Sequence, residues 1–469
     1  MRILIAFLFS ICTFGASSQV YWSLEQCIEH ALSHNLQIRQ SVLQTELSEE
    51  NLKSARGAYY PTLNAFGTNT FNFGQTIDPF TNQFATTTVR SNQFGLRANM
   101  TLFNGMRNVN NAKSSQLALE ASRYDLDQSR NDISLAVANA YLSVLFAEEL
   151  LYNANNQLQL TKKQVNRNKT LFDAGSIPKS DLLTIQAQQA TEELNVVNAE
   201  NQVNLAYLSL KQFIQLDSIP NLRVIKPNLK LSKNISIAST PGQIYDQALR
   251  VMPQIKSAES RMIGADKSLA ASKALRYPNL SLNGNIGSGY SGLRSDFNNP
   301  ILDGQRLIGT TESGEGVFQP NFTFPNTMSF GDQLSENFNQ SLGITLSIPI
   351  FNGFQANTSI SQAKISREIS ENNVEIAKNQ INQDIQRAYA DARAALKQYR
   401  ASQKAKESLA ESFKYMEQRF NVGMINSVNY NNAKVSLSQA ESNVLQAKYD
   451  FIFKSKILDF YQGKPITLK

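Results

Sequence analysis

Cysteine, histidine and tryptophan are scarce in this chain, with two, two and one in 469 residues. Cys12 sits in an apolar N-terminal run; once that run is removed Cys27 is alone, so no intramolecular disulfide can staple the fold. His30 and His34 lie in one short segment, so a Ser-His-Asp hydrolase would have to gather its chemistry near the N-terminus, and no such constellation stands there. Cys27, His30 and His34 would share one helical face at a spacing compatible with zinc. Neither a CxxC pair nor a third histidine is present to complete a site, and the three are read as a structural face. No catalytic residue, metal or cofactor is assigned, and an enzyme is not expected. Residues 287–292 match G-x-G-x-x-G, but Ser295, Asp296 and Pro300 follow where a dinucleotide site needs a helix, so turn glycines are the better account.

Long hydrophobic runs are lacking too. Beyond residues 3–14 nothing approaches the roughly 18 uncharged apolar residues of a membrane-spanning helix; residues 142–151 come nearest and are interrupted by Glu148 and Glu149. Helical insertion is excluded on that count. Arg2, the apolar run and Gly15-Ala16-Ser17-Ser18-Gln19 read as a signal peptide over residues 1–18, which makes this an exported protein. The net charge of +7 is carried by Lys and Arg scattered along helical patterns, without the clustered footprint of a nucleic-acid binder.

Proline and glycine are missing from residues 108–172 and again from residues 356–420. As a single helix, either stretch would run roughly 100 Å at 1.5 Å per residue, too long for a compact domain. In the first, Val137, Val144, Leu151, Leu158 and Val165 recur every seven residues with Ala140, Ala147 and Ala154 between them. That is a coiled-coil seam with small residues that permit close approach. In the second, Ile381, Ile385, Ala388, Tyr389 and Ala392 keep the pattern before Tyr399 and Lys406 break it. Gly175 and Gly423 end these stretches, and shorter helical patterns follow at about 179–213 and 427–460, giving two coiled-coil hairpins with turned tips. Lys162, Lys163, Arg167, Lys169 and Lys179 make the first tip basic and are read as a solvated face.

The two halves repeat. Phe103-Asn104-Gly105 recurs as Phe351-Asn352-Gly353, an offset of 248 that also carries Ala140-Tyr141 onto Ala388-Tyr389. Upstream, Tyr60-Pro61 recurs as Tyr277-Pro278 at an offset of 217, which leaves an insertion in the second copy. Before each closing Phe-Asn-Gly, apolar and polar residues alternate: Phe94, Leu96, Ala98, Met100, Leu102, and then Leu342, Ile344, Leu346, Ile348, Ile350. A partner strand precedes each, at 61–73 and 279–286. Such lengths suit a bilayer-crossing strand, and Tyr60, Phe103, Tyr277 and Phe351 would gather at one end as membrane-interface aromatics. Four strands cannot close a barrel and open edges are forbidden in lipid, so several chains must share one. Two chains would give eight strands and three would give twelve. The expected division is 19–216 for the first repeat, 217–240 for a connector, 241–463 for the second repeat and 464–469 for a tail. The loop at about 288–337 is expected to be long, extracellular and solvated.

This doubled order of helix, strand pair and long helical hairpin, with its Tyr-Pro and Phe-Asn-Gly punctuation and its tip residues, resembles the TolC-like outer membrane efflux proteins. The resemblance implies an α+β membrane protein of a Gram-negative outer membrane, a homotrimer whose twelve strands form one β-barrel embedded in outer membrane lipid, with a periplasmic coiled-coil barrel. It implies an efflux or type I secretion channel that works with a periplasmic adaptor and an inner-membrane pump of RND or ABC type. Adaptor-docking tips would then be Leu171, Gly175, Ser176 and Ile177 with Arg419, Gly423, Met424 and Ile425. The periplasmic gate would involve Asp181, Phe420, Asn429 and Asn432. In the family pattern, acidic residues stand six and nine positions after the second tip glycine and an arginine two positions after it; here those positions hold Asn429, Asn432 and Ile425, and only Asp181 keeps an acid. Closure is therefore expected to rest on amide hydrogen bonds and apolar contacts around Phe420 and Ile425. The competing reading is a trimeric coiled-coil surface structure or adhesin without transport.

Overall fold

A computed structural model describes residues 20–82, 84–86, 88–216, 222–227, 237 and 239–467. The expected signal peptide, most of the connector and the last two residues lie outside the described residues. In chain order the elements are β1 (Val20–Trp22), α1 (Leu24–His34), α2 (Leu36–Gly57), β2 (Thr62–Asn72), β3 (Thr76–Ile77), β4 (Phe84–Ala85), β5 (Val89–Phe103), α3 (Arg107–Asp173), α4 (Lys179–Ile214) and β6 (Leu222–Val224). There follow α5 (Pro241–Val251), α6 (Pro253–Lys273) with a 3-10 turn at Ala274–Arg276, β7 (Asn279–Ser291), β8 (Ile301–Thr310), β9 (Gly316–Thr323), α7 (Phe330–Glu336), β10 (Asn339–Ser347), α8 (Gln355–Asn421) and α9 (Ser427–Tyr461). Both breaker-free stretches are single helices of 67 residues.

Each helical entry that the sequence reads as one helix is two. Asn35 and Met252 adopt extended backbone, ψ 131° and 121°, and interrupt the run. Asn35 has a local reason: its side-chain carbonyl accepts from the Gln37 amide at 2.8 Å, so it caps the helix that follows. Pro253 supplies the other, since its ring fits a first helical position but cannot continue a helix. The first member of each pair opens with a reciprocal capping box, Ser23 with Gln26 and Thr240 with Gln243, again 217 residues apart.

The chain divides into two compact units. The first holds Met1–Ser48, Ala118–Met262 and Ser370–Lys469. Its main core packs Leu24, Cys27 and Ala31 of α1 against Val137, Tyr141, Val144 and Leu145 of α3 and Leu210 and Ile214 of α4, all at most 2% exposed. Each such aliphatic side chain contributes about 1.5–3 kcal/mol on burial. Tyr141 donates its hydroxyl to the Ile225 carbonyl at 2.6 Å, beside a parallel pairing of β1 with β6 that no periodicity announces. A second cluster joins Ile244, Ala248 and Ile255 to Ile381, Ile385 and Ala392 of α8 and Leu458 of α9. One 18-residue window of α3 reaches a mean hydropathy of 1.4, but half of it is buried within the protein, as in the core helix of a packed bundle.

The second unit holds Glu49–Leu117 and Ile263–Ile369. Its four-stranded antiparallel sheet runs in the order β10-β7-β5-β2. Leu63, Leu96, Ala98, Gly284, Ile286 and Leu342 line one face; on the other, Asn99 donates to Asn283 at 2.7 Å and Asn283 to Thr345 at 2.9 Å, a polar ladder across three strands. β10 ends at Ser347, so Ile348 and Ile350 fall beyond it, in keeping with Pro349, which has no amide to give a ladder. The expected loop carries regular elements while its hairpin stays largely exposed: β7 continues into the glycine motif as far as Ser291, β8 and β9 pair, and α7 follows. A buried knot ties it down. Ser291 donates its hydroxyl to Asp78, and the Gln333 amide bonds both backbone groups of Ser291 and the Met328 carbonyl at 2.8–3.0 Å.

Candidate functional site

Both tips in the first unit are built alike. After α3, Gly175 takes φ 70°; its amide donates to the Phe172 carbonyl at 2.8 Å and the Ser176 amide to the Leu171 carbonyl at 2.8 Å. After α8, Gly423 takes φ 76°, with Gly423 on Phe420 at 3.0 Å and Met424 on Arg419 at 2.9 Å. This paired closure satisfies carbonyls that the helix end would otherwise leave open, and it needs a left-handed residue at the glycine. The proposed docking residues fall on these turns. Gly175, Ser176, Arg419, Gly423 and Met424 are exposed, and Leu171, Ile177 and Ile425 are half-buried.

The residues expected at the gate fall in three places. Asn429 and Asn432 are exposed on the first turns of α9, where the Asn429 amide is capped by the Asn426 side chain at 3.0 Å. Asp181 is half-buried in the first turn of α4. Phe420 is anchored: its ring stacks on Tyr430 with centroids 4.6 Å apart, and Tyr430 leans on Phe413 at 5.4 Å. Burial pushes the Tyr430 hydroxyl above its usual range, with Glu417 adding to the effect. The guanidinium of Arg167 lies 5.7 Å over the Phe420 ring and donates to Asn421 at 3.1 Å, linking the first tip helix to the second. Sequence reasoning assigned Arg167 to a solvated face and missed Tyr430. The seven-residue step from Phe413 to Phe420 was the available signal for an aromatic cluster. Lys162, from the same basic run, lies 3.9 Å from Glu193.

In the second unit, strand register sets the aromatics. Thr62 pairs with Asn99, Phe103 with Leu280, and Ser347 with Asn279. Tyr60 just before β2, Phe103 closing β5, Tyr277 just before β7 and Phe351 after β10 therefore share one end of the sheet, all exposed, Phe351 at 77%. The zinc-compatible trio is otherwise engaged. Cys27 is fully buried, and the Nδ1 of His30 pairs with the Ile214 carbonyl at 2.9 Å while its ring stacks on His34 at 4.1 Å.

The sequence pattern of the family described as "Outer membrane efflux protein" matches residues 27–214 and 244–459. The outer membrane efflux protein BepC of Brucella suis is 24% identical over 436 residues, covering 91% of this chain and 84% of that protein. The outer membrane protein TolC of Escherichia coli is 24% identical over 388 residues, 77% of this chain and 72% of that one. The solved CmeC outer membrane channel of Campylobacter jejuni superposes with a TM-score of 0.73 at 15% identity, over 95% of this chain and 87% of that chain. With the family pattern matched over both of these segments, which together make up most of the chain, the chain belongs to the outer membrane efflux protein family.

Proposed function

We propose that this protein is the outer membrane channel of a tripartite efflux or type I secretion system, conducting substrates passively from an inner-membrane pump of RND or ABC type and a periplasmic adaptor to the exterior. The observation that carries the reading is the sheet. Its end strands β2 and β10 each have one unpaired edge, and large apolar side chains such as Leu63, Leu342, Ile344 and Leu346 are 58–78% exposed. In water that combination invites aggregation; in lipid it requires closure by further strands. Three chains would supply twelve strands and one barrel, with the helical hairpins forming a periplasmic coiled-coil duct.

The helices also support assembly. On α4, Leu183, Leu194 and Leu205 are exposed at eleven-residue steps, with Val197 and Leu208 on the same stripe. An eleven-residue period keeps one face of a helix in line, and a second copy would cover it. The tips, closed by glycine turns and presenting exposed Met424 and Ser176, are the docking points for the adaptor in this reading. Tyr60, Phe103, Tyr277 and Phe351 would sit at the lipid interface. Family membership favours transport over an adhesin. Single-channel recording in planar bilayers tests it: discrete conductance steps are expected, and insertion without conductance, even after removal of the tips, would favour a purely structural role.

A further inference from the structure

The seam of α3 changes character toward its tip. Its small positions, Ala140, Ala147 and Ala154, continue by the same step to Thr161 and Asn168, which are buried all the same, at 0% and 5% exposure. From α9, Lys434 enters this layer at 5% exposure and donates to Thr161 Oγ1 at 3.0 Å. Thr161 donates its own hydroxyl to the Gln157 carbonyl at 3.0 Å. The charge that acts on Lys434 is Glu192 of α4. That carboxylate is itself buried and accepts from Gln188 at 2.7 Å and Asn195 at 3.4 Å. Both amide atoms of Asn431 and the Nε2 of Gln157 have no hydrogen-bond partner among the described residues. Other nearby charges are engaged elsewhere: Lys162 with Glu193, Lys406 of α8 with Glu441 of α9, and Arg167 with Asn421.

A buried ammonium with a single hydroxyl acceptor among the described residues is poorly compensated, and polar residues at seam positions lower coiled-coil stability. We propose that Lys434 and its carboxamide surroundings form a weak seam between α3, α4 and α9, which lets the second tip hairpin part from the first and so sets how readily the channel opens. Its role in opening rests on the channel reading; the seam itself rests on coil packing alone.

The seam has a direction in pH. Burial lowers the Lys434 ammonium from its ordinary 10.5 to about 8, with Glu192 opposing the fall. The packed seam thus binds its proton more weakly than the parted one, so protonation favours parting. The seam is weakest near neutrality, tightens as pH rises through about 8, and gains nothing more above 10.5. Cys27, Tyr207 and Tyr461 are pushed up to about 12, and Lys53, Lys378 and Tyr430 also move upward, away from this window.

Hydrogen exchange on the full chain in detergent reads the seam through the amides of α3 and α9 around Thr161 and Lys434, after correction for intrinsic exchange rates. The parted population is expected to fall on the order of tenfold between about pH 7 and about pH 9.5. Lys434→Met should slow exchange severalfold near pH 7 and abolish the pH response. Thr161→Val, which keeps the ammonium but removes its acceptor together with the local bond to the Gln157 carbonyl, should raise the parted population severalfold and keep that response. Equal parting of the unmodified chain at both pH values, or unmodified rates in Lys434→Met, would overturn the proposal; if Lys434→Met does not fold, Thr161→Val exchanging like the parent overturns it instead. The measurement does not require conduction. A chain that shows the pH response yet never conducts would support the seam and sink the channel reading.

Discussion

Asn429 stands where the resemblance read from the sequence leads one to expect an acid, and its position makes a charge there easy to introduce. It is exposed in the first turn of α9, where a carboxylate is favoured by the helix N-terminus. Asn429→Asp with Asn432→Asp should therefore fold normally and introduce cation selectivity with block by divalent or trivalent cations, read in single-channel recordings. Strong block of the unmodified channel would mean that another acid, Asp181 foremost, lines the entrance. Cys27 offers a second residue-scale test. Burial, helped by the Glu25 charge, pushes its thiol from 9.0 to about 12. The folded chain holds that proton more tightly than the unfolded one, so the contribution to stability is intact below 9.0 and declines as pH climbs toward 12. At about pH 8, where an ordinary thiol is already partly ionised, Cys27 should resist thiol reagents until the chain is denatured. Rapid labelling of the folded protein would contradict its placement in the core.

At the scale of elements, the tips are the sharpest dependence on one residue type. A Cβ at Gly175 or Gly423 would meet nothing within 4 Å, so the cost of substitution is conformational rather than steric. Placing a side chain in the left-handed region costs about 1–2 kcal/mol, more for a β-branched residue. Gly175→Val or Gly423→Val should thus reshape one turn and leave the 67-residue helices and the sheet intact. Loss of export with normal membrane insertion is the expected result. Undiminished drug resistance in both variants would remove the tips from adaptor docking. The long helices and their glycine stops were legible because breakers are absent for the whole of each run. The interruption at Asn35 was not, because a cap that begins the next helix leaves the apolar spacing on both sides undisturbed; the one at Met252 was marked by Pro253, whose ring cannot continue a helix, and went unread.

For the molecule as a whole, assembly is the decisive property. A sheet with two unpaired edges and exposed Leu342, Ile344 and Leu346 cannot stand alone in a bilayer, and the apolar stripe of α4 asks for cover as well. Light scattering of the detergent-extracted protein should give the mass of three chains. A monodisperse monomer would overturn the shared barrel, and with it the twelve strands.

Periodicity recorded what each element buries against its neighbours, and by itself the sequence determined the helical hairpins, the alternating strands, the aromatic ends and the doubled order. Tertiary structure alone decided which distant polar groups meet. Lys434 reaches Thr161 across 273 positions, Arg167 reaches Asn421 across 254, and Ser291 reaches Asp78 across 213. Apolar burial repeats with the turn of a helix or the pleat of a strand, so it leaves a pattern along the chain. A single hydrogen bond repeats nothing, and only the folded backbone brings its two ends to about 3 Å from each other.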